Sequence, residues 1–171
     1  GTTVTTSAGT LNVTGSNNVV TTANGTVNAT GINTITTANG TVNASGINTI
    51  TTASDRVSMS GINTITTANG AVLVTGHANT ITTNQGNVWM SGKSSTVTNA
   101  NGGDIFMTGN TSTVTNAAGG RIFITGASSS IQTSAGTVNI TGKETTITTA
   151  NGTVNVTGIN TVTTANGTVN A

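Results

Sequence analysis

The stretch Gly31-Ile-Asn-Thr-Ile-Thr-Thr-Ala-Asn-Gly-Thr-Val-Asn-Ala-Ser45, GINTITTANGTVNAS, is followed at once by GINTITTASDRVSMS (Gly46 to Ser60) and GINTITTANGAVLVT (Gly61 to Thr75). Self-similarity at so short a period marks an architecture in which one unit cannot bury its apolar groups alone and must stack on its neighbours. Outward from Gly31 the pattern reaches both termini. Units open at Gly1, Gly15, Gly31, Gly46, Gly61, Gly76, Gly92, Gly109, Gly126, Gly142 and Gly158, which makes eleven units of 14 to 17 residues.

A second glycine falls inside every unit except Gly46 to Ser60, as in Ala38-Asn39-Gly40 and Ala150-Asn151-Gly152. Asn-Gly is a strong turn signal because both residues tolerate positive φ. Two glycine corners leave two straight segments, Asn-Thr-Ile-Thr-Thr and Thr-Val-Asn-Ala-Ser, whose alternation and β-branched content predict strands. Aligned, the first strands give one apolar column from Val4 through Ile35, Ile50 and Ile65 to Val162. The second strands give two more, Leu11 through Val42 to Val169 and Val13 through Ala44 to Ala171. Three unbroken columns predict one narrow core. The fold class is therefore all-β, a β-solenoid (β-helix or β-roll) with two strands per coil, continuous over residues 1–171 as one domain. A polar column with the same inward parity, Asn18, Asn33, Asn48, Asn63, Asn79, Ser95, Ser112, Ser129, Thr145 and Asn160, predicts a ladder of stacked side chains at one corner.

The composition agrees with a stack and excludes several functions. Charged residues make up 4% of the chain and aromatic residues 2%, and there is neither Pro nor Cys. A net charge of +1 gives no basic stripe for nucleic acid, and no segment approaches the apolar length of a membrane span. No disulfide framework or thiolate metal site can form. The one histidine, His77, is placed two coils from Asp55, and the three acids are scattered, so neither a catalytic constellation nor a cofactor is expected. Asn101-Gly-Gly-Asp-Ile-Phe106 lacks the third glycine of a calcium-binding repeat and meets Arg121 in the next unit, so no calcium stack is expected. Export of such a chain, with no initiator Met and no signal-like start, implies a mature or excised form.

Two outer faces carry the candidate sites. Beside the isoleucine column stands a Thr-x-Thr pair in nine of the eleven units, among them Thr34/Thr36, Thr49/Thr51, Thr64/Thr66, Thr80/Thr82, Thr96/Thr98, Thr113/Thr115 and Thr146/Thr148; Val19/Thr21 and Ser130/Gln132 are the exceptions. On the second strand the central outward column reads Asn12, Asn28, Asn43, Ser58, Leu73, Trp89, Phe106, Phe123, Asn139, Asn155, Asn170. Four consecutive coils thus place a large apolar residue where the others have Asn or Ser. Such a patch marks an interface, here lateral packing against another rod or a stacking platform for a glycan. Asp104 and Arg121, equivalent positions in neighbouring units, form a solvated ion pair beside it.

The Thr-x-Thr array resembles the faces of insect β-solenoid antifreeze proteins, and Gly15 to Val20 looks like the repeats of grass ice-recrystallisation inhibitors; the resemblance implies ice as a partner. The chain also resembles, in architecture and composition, the rod regions of bacterial β-solenoid adhesins and extracellular fibres. That resemblance implies an extracellular or cell-surface structural role. Gly1-Thr-Thr-Val-Thr-Thr6 begins directly in a first strand and Gly158 to Ala171 stops within a second, so Ala171 can run into Gly1 almost as one unit runs into the next. Uncapped, complementary ends predict head-to-tail stacking of copies of the chain into a filament. An extracellular filament or adhesin stalk ranks first among the functions, and ice binding second.

Overall fold

The computed structural model describes residues 1–110, 112–116, 119–158 and 160–171, apart from the side chains at positions 54, 55 and 68. Asp55, weighed above as a partner for His77, lies outside the described side chains. The chain is an all-β parallel solenoid with about ten turns of roughly 16 residues, one for each step between the sequence units. Its strands are β1 (Thr2–Thr6), β2 (Thr10–Asn69), β3 (Val72–His77), β4 (Thr80–Gln85), β5 (Val88–Lys93), β6 (Ser95–Asn99), β7 (Ile105–Thr108), β8 (Ser112–Asn116), β9 (Gly120–Ala127), β10 (Ser130–Lys143), β11 (Thr145–Thr157) and β12 (Asn160–Asn170). β2 runs through several corners without a break because corner residues also pair with the coils above and below.

Every strand pairing among the described residues is parallel and in register with the repeat. On the first-strand side Ile65 meets Ile81, which meets Val97, Val114, Ile131, Ile147 and Val162 in succession. On the second-strand side Val57 is followed by Val72, Val88, Ile105, Ile122, Val138, Val154 and Val169. Register is fixed because a slip of one residue would exchange the buried and exposed faces. Ile35, Val42 and Ala44 are buried, whereas Thr34, Thr36 and Asn43 are exposed. Each fully buried Ile or Val contributes on the order of 1.5–3 kcal/mol against the ordering entropy of its coil.

The three apolar columns are sealed in the interior coils and open at the ends. Val4, Leu11 and Val162 are only half-buried, and Val169 is 42% exposed. A second buried polar column, which the three-column reading omits, closes the core at the other corner: Thr22, Thr37, Thr52, Thr67, Thr83, Asn99, Asn116, Thr133 and Thr149. Four of its hydroxyls turn back on the corner. Thr22, Thr83, Thr133 and Thr149 each donate to the carbonyl two residues on, at 2.8 to 3.4 Å. Where the corner widens to Gly102-Gly103 and Gly119-Gly120, the longer Asn99 and Asn116 replace threonine.

The asparagine ladder runs as expected through half the rod. Asn18, Asn33, Asn48 and Asn63 each donate Nδ2 to Oδ1 of the next coil, ending at Asn79, at 2.6 to 2.8 Å. It does not continue. Ser95, Ser112, Ser129 and Thr145 are buried, but their short side chains cannot span a coil spacing of about 4.8 Å, and Ser129 Oγ and Thr145 Oγ1 have no partner. Beside the ladder the glycine corners come in two forms. Short corners read Gly-Ile-Asn; longer ones insert a residue with positive φ, at Asn17, Ala78, Ser94, Ser128 and Glu144. Glycine is required at the corner itself: Gly61 has φ +111°, and a Cβ there would run into the carbonyl oxygen of Gly46 one coil below.

Candidate functional site

The first outward face is the Thr-x-Thr array. Thr64, Thr80, Thr96 and Thr113 pair in one column, and Thr66, Thr82, Thr98 and Thr115 in the next. The run is interrupted by Ser130 and Gln132 and resumes at Thr146/Thr148 and Thr161/Thr163. Thr34, Thr36, Thr49 and Thr51 carry the same columns into the earlier coils. Of the fourteen threonines proposed for this face, thirteen are exposed and Thr115 is half-buried. The backbone therefore holds hydroxyls and methyls about 4.8 Å apart along the rod and about 6.7 Å apart across it.

Sequence reasoning missed a third column on this face. Ile32, Ile47 and Ile62 are 45%, 51% and 49% exposed, two residues before Thr34, Thr49 and Thr64 and with the same outward parity. The parity was a usable signal, but isoleucine reads as a core residue. Longer corners in the flanking coils, at Asn17 and Ala78, move this position aside there, so the isoleucine column spans three consecutive coils. At the other end of the array the surface turns concave: a groove of about 540 Å³ is lined by Thr115, Gln132, Thr148 and Thr163 among others.

The second outward face carries the apolar stripe, with parity kept through the long units. Leu73 pairs with Trp89, Trp89 with Phe106, and Phe106 with Phe123. Leu73 is 52% and Trp89 38% exposed, and both phenylalanines are half-buried. The rings are stacked on one another: Trp89 and Phe106 lie 5.8 Å apart with 3° between planes, Phe106 and Phe123 4.9 Å apart with 1°. Stacking at the coil spacing places each ring across the rod axis and turns its edge outward. Both faces of Phe106 and one face each of Trp89 and Phe123 are covered by a neighbouring ring, so the column stands out as a ridge of ring edges.

Charge gathers along one edge of the ridge. Arg121 forms an ion pair with Asp104 through Nη2 and a hydrogen bond through Nε at 3.2 Å, and its guanidinium carbon lies 5.8 Å from the Phe123 ring centroid. The Arg121 guanidinium beside it holds the Asp104 carboxyl below its usual range, and Asp104 in turn raises Arg121. No family model, curated protein or solved structure matches this chain. The fold and these faces therefore carry the functional argument by themselves.

On either side of the ridge the same column is asparagine. Asn28 donates to Asn12 and Asn43 to Asn28, at 2.7 and 2.9 Å, while Asn155 donates to Asn139 and Asn170 to Asn155, at 2.8 and 2.7 Å. Shallow grooves of about 630 and 350 Å³ follow these two ladders. His77 is exposed and pairs in register with Lys93. Among the described residues no group of three metal-ligating side chains converges, and no helix is long and apolar enough to cross a membrane.

Proposed function

We propose that the chain is a non-enzymatic structural rod, lengthened coil upon coil into an extracellular or cell-surface filament or adhesin stalk. The observation that carries this reading is the state of the two end coils. Among the described residues β1 pairs with β2 and β12 with β11, each along one edge only, and the core columns are open at Val4, Leu11 and Val169. One further coil of the same repeat would satisfy such an edge and cover those side chains. In a solution of these 171 residues that coil is the first or last coil of another copy. Light scattering against concentration tests the reading. The unmodified chain elongates, whereas Val4→Pro, which removes a ladder donor from the open edge, stays short with unchanged circular dichroism. An unmodified chain that remains monomeric at high concentration removes the filament.

Ice binding is a second reading with its own support, the exposed Thr-x-Thr columns in coil register and widened by Ile32, Ile47 and Ile62. A neutral lattice of hydroxyls and methyls can order water without charges to disrupt it. Replacing Thr64 and Thr66 together by Tyr abolishes thermal hysteresis and leaves the fold intact. Absence of hysteresis and ice shaping in the unmodified chain removes this reading.

A further inference from the structure

The central column of the second face is palindromic in chemistry. Outward from its middle the pairs are Trp89 and Phe106, Leu73 and Phe123, Ser58 and Asn139, Asn43 and Asn155, Asn28 and Asn170. Apolar matches apolar and polar matches polar in all five. A parallel pair of rods would match any sequence with itself and needs no such order. An antiparallel pair related by a two-fold axis needs this order, because each coil then meets the coil equally far beyond the midpoint.

We propose that two copies of the chain pack antiparallel through this face, with the two-fold axis between Trp89 and Phe106 and running along the strand direction. Leu73 then faces Phe123 of the partner subunit, and Trp89 faces the partner's Phe106. The flanking ladders meet each other. Asn28, Asn43, Asn155 and Asn170 each use one amide hydrogen along their own rod and keep another hydrogen and a lone pair for the partner.

Neighbouring columns fit the same symmetry. On one side Ser45, Ser60, Thr75 and Ser91 face the partner's Thr157, Thr141, Thr125 and Thr108, hydroxyl against hydroxyl. On the other, Arg56 faces the partner's Thr137, Ala71 the partner's Arg121, and Asn87 the partner's Asp104, so no charge meets its like. Area decides how much of the face takes part. The four-coil ridge offers only roughly 250 Å², whereas ten overlapping coils of four-residue strands offer roughly 600 Å² per rod. Only the latter approaches the roughly 800 Å² per partner of a stable interface. The ridge therefore supplies the apolar centre and sets the register, and the ladders supply the remaining surface.

The chain has no cysteine, so one spin label at a time can be placed on the opposite, exposed face at Thr36→Cys or Thr82→Cys. In the antiparallel pair the labels are separated along the rod by seven coils for position 36 and one for position 82. With about 30 Å between the outer faces, dipolar distances are about 45 Å and about 30 Å. In the Val4→Pro background, which does not elongate, sedimentation gives twice the monomer mass, and adding Trp89→Asn with Phe106→Asn gives monomer with unchanged circular dichroism. Equal short distances at both positions mean a parallel pair and overturn the proposal. So do equal distances near 50 Å at both positions, the spacing of copies joined only end to end, or retention of the pair by the double variant. Val4→Pro blocks elongation without touching this face, so failure of the filament and failure of the antiparallel pair are read separately.

Discussion

Asn33 donates Nδ2 to Oδ1 of Asn48 at 2.6 Å, and both side chains are only 2% exposed. Asn48 passes the chain on to Asn63 at 2.8 Å. Replacing Asn48 by Ala strands a donor on one side and an acceptor on the other within a dry corner. The expected loss is about 1–3 kcal/mol in urea unfolding. Asn48→Ser, which imitates the later coils, should cost less because it leaves a smaller void.

Two isoleucines three residues apart have opposite roles. Ile65 is 1% exposed and Ile62 is 49% exposed. Ile65→Ala should destabilise by about 2–5 kcal/mol, whereas Ile62→Ala should stay within about 0.5 kcal/mol. Thermal melts of the two variants check the inward register directly.

Ala78 takes φ 53° at a lengthened corner, in the left-handed region where a Cβ is unfavourable. Ala78→Gly relieves this, and Ala78→Asn reduces it. A rise of roughly 1 kcal/mol in stability is expected for either, read as a higher melting temperature.

The alternation of Ile35 between Thr34 and Thr36 made the strand, its parity and its column legible, because a period of two leaves only one face for the core. The column Leu73, Trp89, Phe106, Phe123 was legible for the same reason. Thr37 and its column mates were not: they share the parity of Ile35, but threonine is ordinarily a surface residue, and the hydroxyls of Thr22, Thr83, Thr133 and Thr149 find their acceptors only where the corner turns. Ile32 was missed in the opposite sense. The break of the polar ladder after Asn79 follows from side-chain reach, which column alignment does not measure. Ring orientation follows from coil spacing in three dimensions, so the ridge was legible as apolar but not as a set of edges.

Negative-stain microscopy of the purified 171-residue chain tests the central claim most directly. One eleven-coil rod is about 50 Å long at the parallel-strand spacing. Coil-on-coil elongation predicts unbranched filaments many times that length, which shorten to particles one rod long when Val4 is replaced by Pro. Separate rods about 50 Å long at every concentration of the unmodified chain would contradict it.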